Sequence, residues 1–209
     1  MGKLMVISFL FTLLCNVSFA ETIHVLPGGD TLQKAINMAM SGDKIMISGG
    51  TYETQKSVEI TRKSNLTIEG QGDVWLLCDD VNVDVINIIN SKNIRLMNLK
   101  ARHKKPLKEY QCHGSVVNIT SSSNIHIEGC ELNGCGAIGV YASNCKNLVI
   151  TKNYIHKNSF TALYLFESNN VKITYNRIMN NKSFISLSNI KYLEMYGNTI
   201  QNNTGYWDK

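Results

Sequence analysis

Proline is nearly missing from this sequence: Pro27 and Pro106 are the only two in 209 residues. β-Branched residues run evenly along the chain, which argues against disorder and for a packed fold. No apolar run after Leu14 reaches membrane-spanning length, so no bilayer-crossing helix is expected. No Cys-x-x-Cys pair occurs, and a structural zinc site is not expected. The methionines form no cluster in the sequence, which leaves copper handling a minor reading. Nothing resembles a nucleic-acid reading motif, and a formal charge of +5 is small for that partner.

What is present begins with a targeting segment. Lys3 supplies a positive start, Leu4 to Leu14 an apolar run too short to span a bilayer, and Ser18-Phe19-Ala20 a small-x-small cleavage pattern. Residues 1–20 are therefore expected to be a signal peptide cut before Glu21, leaving residues 21–209 as one domain. Leu14 is not the small residue that lipid attachment at Cys15 wants. The predicted location is secreted, periplasmic or cell surface. Cleavage removes Lys3 and takes the charge from +5 to +4, compatible with an anionic glycan or a wall surface but compelling neither. Five cysteines remain (Cys78, Cys112, Cys130, Cys135 and Cys145), so at least one thiol is unpaired within a monomer.

One unit recurs: apolar-x-apolar, a short polar run, Asn, then apolar-x-apolar. Asn65, Asn93, Asn124, Asn147 and Asn170 mark it, with Tyr192 in sixth place. Before them lie pairs such as Val58/Ile60 and Leu163/Leu165, and after them pairs such as Leu66/Ile68 and Ile125/Ile127. The last three intervals are 23, 23 and 22 residues, enough for one solenoid turn each. Each pair reads as a short strand with one face buried. Eight residues past the reference, Leu132, Ile155, Ile178 and Ile200 give a third inward column. The repeated Asn suits a stacked amide ladder, and a second polar column runs through Cys130, Asn153, Asn176 and Asn198. A leucine-rich repeat fits part of this motif. It would fill the other half of each unit with helix or looser structure, whereas Ala162 to Phe166 alternates as strand. The expected fold is all-β: a right-handed parallel β-helix of about six to seven coils.

The opening segment adds a family resemblance. Ile23-His24-Val25 reads as a strand, and Asp30 to Gln33 as a capping box opening a helix over about residues 31–40. Gly42-Asp43-Lys44-Ile45-Met46-Ile47 and Gly50-Thr51-Tyr52 follow. This arrangement resembles the start of pectin lyase-like β-helix proteins. The resemblance implies that the helix covers the open end of the solenoid. At the far end, Tyr206 and Trp207 are the residues available to cover the last coil. It is specific for fold and weak for activity, because the fold hosts lyases, hydrolases, epimerases, adhesins and maturation factors.

Candidate chemistry falls on the 31-residue interval from Asn93 to Asn124, which carries Arg102, His103, Lys104, Lys105, Lys108 and His113. A lyase acting on uronic acids needs a base near the sugar C5 proton and cations for the carboxylate, with Ca2+ a candidate cofactor in that case. The bland alternative is a solvated charged loop. Tyr141 and Tyr164 share one outward column and suit a sugar platform or an ordinary aromatic ladder. Asp79-Asp80 invite comparison with a glycosidase pair, but the family's other marks are absent and a polar loop is the simpler reading. Cys112 and Cys135 both lie twelve residues before their reference Asn, in reach of a disulfide one coil apart. The sequence thus implies an exported β-helix that binds, and as a lyase cleaves by β-elimination, an acidic polysaccharide. The competing class is a non-catalytic adhesin, scaffold or maturation factor.

Overall fold

The computed structural model describes residues 20–105, 112–134 and 137–203. The expected signal peptide, residues 1–20 apart from Ala20, lies outside them, as do Lys108, Cys135, Tyr206 and Trp207.

A short strand β1 (Thr22–Val25) and helix α1 (Thr31–Met38) precede the coils. The first coils contain β2 (Lys44–Thr54), β3 (Val58–Thr61) and β4 (Ser64–Cys78). Three strands per turn then repeat: β5 (Ile86–Ile89), β6 (Lys92–Met97) and β7 (Lys100–His103), then β8 (Val117–Thr120), β9 (Ser123–Glu128) and β10 (Glu131–Asn133). They continue as β11 (Ile138–Ser143), β12 (Lys146–Thr151), β13 (Tyr154–His156), β14 (Thr161–Phe166), β15 (Asn169–Thr174) and β16 (Arg177–Met179). The last turn holds β17 (Ile185–Ser188), β18 (Lys191–Tyr196) and β19 (Thr199–Gln201).

All these strands pair in parallel with the next coil and form three faces. The first face is the sheet β3-β5-β8-β11-β14-β17. The second carries one strand from each of seven turns, β2, β4, β6, β9, β12, β15 and β18. The third continues from the far halves of β2 and β4 through β7, β10, β13, β16 and β19. β4 serves two faces by turning a corner at Gly70–Asp73, where its register with β2 shifts between the Ser48–Gln71 and Gly50–Val74 pairs. A Cβ on Gly70 would lie 2.2 Å from the carbonyl oxygen of Asn98, so only glycine fits that corner.

The expected inward columns stack as read. Val58, Ile86, Val117, Val140, Leu163 and Ile185 are consecutive partners on the first face. Leu66, Ile94, Ile125, Leu148, Val171 and Leu193 are so on the second. The third column, expected from Leu132 onward, starts earlier, with Tyr52, Leu76 and Ala101.

Each coil turns its corners on left-handed residues. Asn65, Asn93, Asn124, Asn147 and Asn170 have φ of 53–56°, and Tyr192 shares the conformation. Asn tolerates it because its short polar side chain bonds locally. The five asparagines form the expected outer ladder, each Nδ2 from Asn93 onward donating to the preceding Oδ1, as from Asn124 to Asn93 at 2.6 Å and from Asn170 to Asn147 at 2.8 Å, while Asn65 Nδ2 donates to the Ser41 hydroxyl. The inner ladder is buried. Asn176 Oδ1 accepts from the Asn153 backbone at 2.9 Å, while Asn176 Nδ2 donates to Ile150 O at 2.9 Å and to Asn198 Oδ1 at 3.0 Å. A third ladder, Asn158–Asn181–Asn203, repeats the arrangement at the next corner and was not read from the sequence.

Helix α1 sits over the N-terminal end. It stops at Met38, two residues short of expectation, and the capping box does not form: Asp30 makes no side-chain cap bond. Gln33 has a stronger use. Its amide accepts from Glu59 N at 2.7 Å and donates to Glu59 O at 3.1 Å, pairing with β3 at the edge of the first face. Lys63 Nζ closes the helix C-terminus on the carbonyls of Asn37 and Ala39, at 3.0 and 2.9 Å. At the opposite end the inward side chains become accessible, with Leu187 and Ile200 each 42% exposed.

Asn176→Ala removes the acceptor for Asn153 and the donor for Ile150 O, both buried. Each orphaned group costs about 1–3 kcal/mol. The expected loss in a urea titration is about 3 kcal/mol; a loss below about 1 kcal/mol would show the ladder to be decorative.

Candidate functional site

Outward side chains on the third face stand in two rows. One runs Thr51, Trp75, Lys100, Glu131, Tyr154, Arg177. The neighbouring row contains Leu77 and Arg102, then Asn133, His156 and Met179. Aromatic rings, cations and one central carboxylate thereby meet on a rigid strand surface, where backbone register fixes their spacing.

Trp75 carries two cations, with Lys100 Nζ and Arg102 Cζ each 4.9 Å from its ring centroid. The two differ electrostatically. Lys100 is held by Asp73 at 2.9 Å and reaches Glu131 at 3.7 Å; the Asp73 contact pushes its pKa above the ordinary lysine range. Among the described residues Arg102 has no ion-pair or hydrogen-bond partner, its buried Nε included. Arg177 lies over Tyr154 at 4.5 Å and donates only to Met179 Sδ, at 3.6 Å.

Glu131 is enclosed by donors. His156 Nε2 lies 3.0 Å from Oε1, Asn133 Nδ2 donates to the same oxygen at 3.2 Å, and Lys100 lies beyond. The His156 ring stacks on Tyr154, centroids 3.9 Å apart and 13° from parallel. Burial pushes the His156 pKa below the usual imidazole value, against the opposing pull of Glu131. At pH 7 the imidazole is neutral, and its Nε2–H donates to the carboxylate. Two surface depressions flank the Glu131 row. One of about 330 Å³ is lined by Trp75, Arg102, Asn133, His156 and Lys157. The other, about 370 Å³, is lined by Lys100, Lys152 and Tyr154 beside the Asn98 and Gly129 corners.

The residues singled out from the sequence are not brought together. Arg102 alone joins this surface. His103 is buried inside the coil, its Nε2 2.9 Å from Val83 O. Lys104 is bound by Glu53 at 2.6 Å and Asp79 at 3.8 Å, so its charge is neutralised where it stands. Lys105 is exposed. His113 contacts Asn82 Oδ1 at 3.2 Å. Tyr141 and Tyr164 do stack, at 5.6 Å and 22°, but on the first face. Asp79 accepts from Gln55 and Asp80 from the Asn82 backbone, the polar-loop arrangement. Cys112 is disulfide-bonded, while Cys78, Cys130 and Cys145 are free and buried. Burial pushes the Cys130 thiol up to about 12, so it is inert at neutral pH. Among the described residues no three His, Cys, Asp or Glu side chains group to hold a metal ion.

Trp75, Lys100, Glu131, Tyr154, His156 and Arg177 escaped the sequence reading. The signal was available: from Glu131 onward they flank the inward column already found eight residues past each reference.

Solved structures similar to this chain share its architecture. The ORF18 protein of Geobacillus virus E2 superposes with a TM-score of 0.69 at 16% identity, over 87% of this chain and 43% of the viral one. This chain thus spans less than half the viral protein's length. A glycosyl-hydrolase candidate from Parabacteroides merdae gives 0.69 at 14% identity, covering 90% of this chain and 99% of that one. An alginate lyase from a Paenibacillus species gives 0.56 at 14%, covering 88% and 70%. At these identities the likeness is one of fold. No curated protein matches the chain in sequence. Residues 84–207, well over half the chain, match the family described as the right handed beta helix region. Together with the parallel coils and their register, this places the chain in the right-handed β-helix family, with the pectin lyase-like fold.

Proposed function

We propose that the third face binds an acidic polysaccharide. One observation carries this reading: Arg102 lies on Trp75 with no carboxylate of its own, in a depression also lined by Asn133, His156 and Lys157. An aromatic ring beside an unpaired guanidinium suits a sugar that carries an anion, the ring covering the sugar's apolar face and the guanidinium taking the carboxylate or sulfate. Lyase and hydrolase relatives in fold are compatible with a polysaccharide ligand. The same cations suit β-elimination, since they would stabilise the charge that develops on a uronate. Its proton acceptor is the weak point, because His156 and Glu131 are engaged with one another.

The first experiment is retention of the purified protein in gels containing pectate, alginate, chondroitin or hyaluronan, with and without calcium. The expected result is retardation by at least one acidic polymer, weakened about fivefold or more by Arg102→Gln and unchanged by Lys104→Ala. Equal mobility in every gel would remove the proposal. Ultraviolet absorbance of the new C=C bond, followed on the same polymers, separates a lyase from a binding protein.

Protonation of His156 adds a positive charge beside Glu131, Lys157 and Arg177, the charged groups that face it. Its pKa lies below the usual value, so retention of an anionic polymer is expected to strengthen only as pH falls below about 6.5. His156→Gln should flatten that profile. A wild-type profile that stays flat between pH 7 and 5 would exclude His156 from the surface that meets the ligand.

The reading includes export through residues 1–20 and a Cys112–Cys135 bridge formed in an oxidising compartment. Mass spectrometry of unreduced protein recovered outside the cytoplasm should find Glu21 at the N-terminus and a peptide joining those two cysteines. An intact Met1 would remove the export reading, and free thiols at both positions the bridge.

A further inference from the structure

The geometry points to two separate anion subsites on the third face, Arg102 on Trp75 and Arg177 on Tyr154, spanned by one linear polyanionic oligosaccharide running along the solenoid axis. This rests on the proposed binding function and adds the ligand's direction and repeat.

The two arginines lie on β7 and β16, joined by the strand path β7-β10-β13-β16. Three strand spacings of about 4.8 Å separate them by roughly 14 Å along the axis. Both have the same local construction. Each guanidinium is laid against an aromatic ring, at 4.9 Å for Arg102 and 4.5 Å for Arg177. Neither is ion-paired among the described residues. The neighbouring cation on β7 is different: Lys100, beside Arg102, is committed to Asp73 and Glu131. Glu131 therefore puts a carboxylate at the centre of the row, where an anionic group of the ligand would be repelled. The surface alternates: an available cation, a carboxylate zone, an available cation.

Charge screening turns this spacing into a length requirement. At 0.15 M ionic strength the Debye length is about 8 Å, shorter than the separation, so the two arginines do not act as one field. Only a ligand long enough to touch both gains from both, and its second contact is then intramolecular. Carboxylate and sulfate both satisfy a guanidinium fork, so the shared chemistry is a repeating monoanion on a sugar backbone. A ligand crossing the face at right angles would meet one arginine only.

Calorimetry with a length series of uronate oligosaccharides, and a matching sulfated series, tests this on the full chain. Wild type is expected to bind a hexasaccharide at least about tenfold more tightly than a disaccharide. Arg102→Gln and Arg177→Gln should each remove most of that gain, and the double variant should bind every length more weakly than either single one, because neither subsite remains. With the disaccharide, each single change should cost less than about threefold, because the other subsite remains. Circular dichroism of each variant guards against misfolding. If Arg102→Gln weakens every length alike and Arg177→Gln none, the axial two-subsite arrangement is wrong while the binding function stands. If wild type binds neither series at any length, the binding function itself falls. Preference for one series over the other identifies the anion.

Discussion

Everything in this molecule depends on closing each coil at a fixed length, and the buried asparagines do that. A parallel coil must turn three corners, and each corner leaves backbone groups facing the interior with no water to satisfy them. Asn153, Asn176 and Asn198 solve this collectively. Each carboxamide donates to a carbonyl one coil back, Asn153 and Asn176 donate also to the next asparagine's oxygen, and each accepts from the backbone of the coil before it. Cys130 occupies the first position of that column and receives the ladder through its backbone, Cys130 N donating to Asn153 Oδ1 at 2.9 Å. An insertion inside a strand would shift the corner and break the column. The tolerant place for extra residues is outside it, where the chain between β7 and β8 is longest.

Constant coil length also makes the surface. Equivalent outward side chains are held one strand spacing apart, so substitutions in successive coils become rows of chemistry. On the second face the row closes on itself, since Glu128 is shared by His126 at 3.0 Å, Lys152 at 2.9 Å and Arg95 at 3.9 Å. On the first face the aromatic pair Tyr141–Tyr164 adjoins an amide track, Asn118 to Asn87 at 3.0 Å and Asn87 to Glu59 at 2.8 Å. Among the described residues the third face sets aromatic rings against cations that lack carboxylates, Arg102 on Trp75 and Arg177 on Tyr154.

The inward columns were legible because burial is a binary demand repeated at constant spacing. Leu148 and Val171 must both be apolar, and one sequence displays both. The candidate site was less legible. From β10 onward Glu131, Tyr154 and Arg177 keep one offset from their reference residues. Trp75 falls three positions later than that offset, because the Gly70–Asp73 corner inserts residues into β4. A column drawn from the later coils misses it. The basic insertion misled for another reason. Charge can be counted from sequence, but pairing cannot: Lys104 meets Glu53 across 51 positions. The capping box failed likewise, because Gln33 found the unpaired backbone of Glu59, 26 residues away.

Register also decides which cation remains available. Lys100 and Arg102 are two residues apart on one strand, point the same way and touch the same indole. Lys100 is held by Asp73 at 2.9 Å and stands opposite Glu131 in the next coil at 3.7 Å, and the two carboxylates together commit it. Arg102 stands opposite Leu77, which offers no charge. Its guanidinium settles on Trp75 instead, where the ring compensates part of the lost hydration without cancelling the charge. Replacing Leu77 with an acidic residue would put a carboxylate beside Arg102 and should quench it as Glu53 quenches Lys104. A single row position, two residues along from the one that neutralises Lys100, separates a closed ion-pair network from a surface ready for an anion.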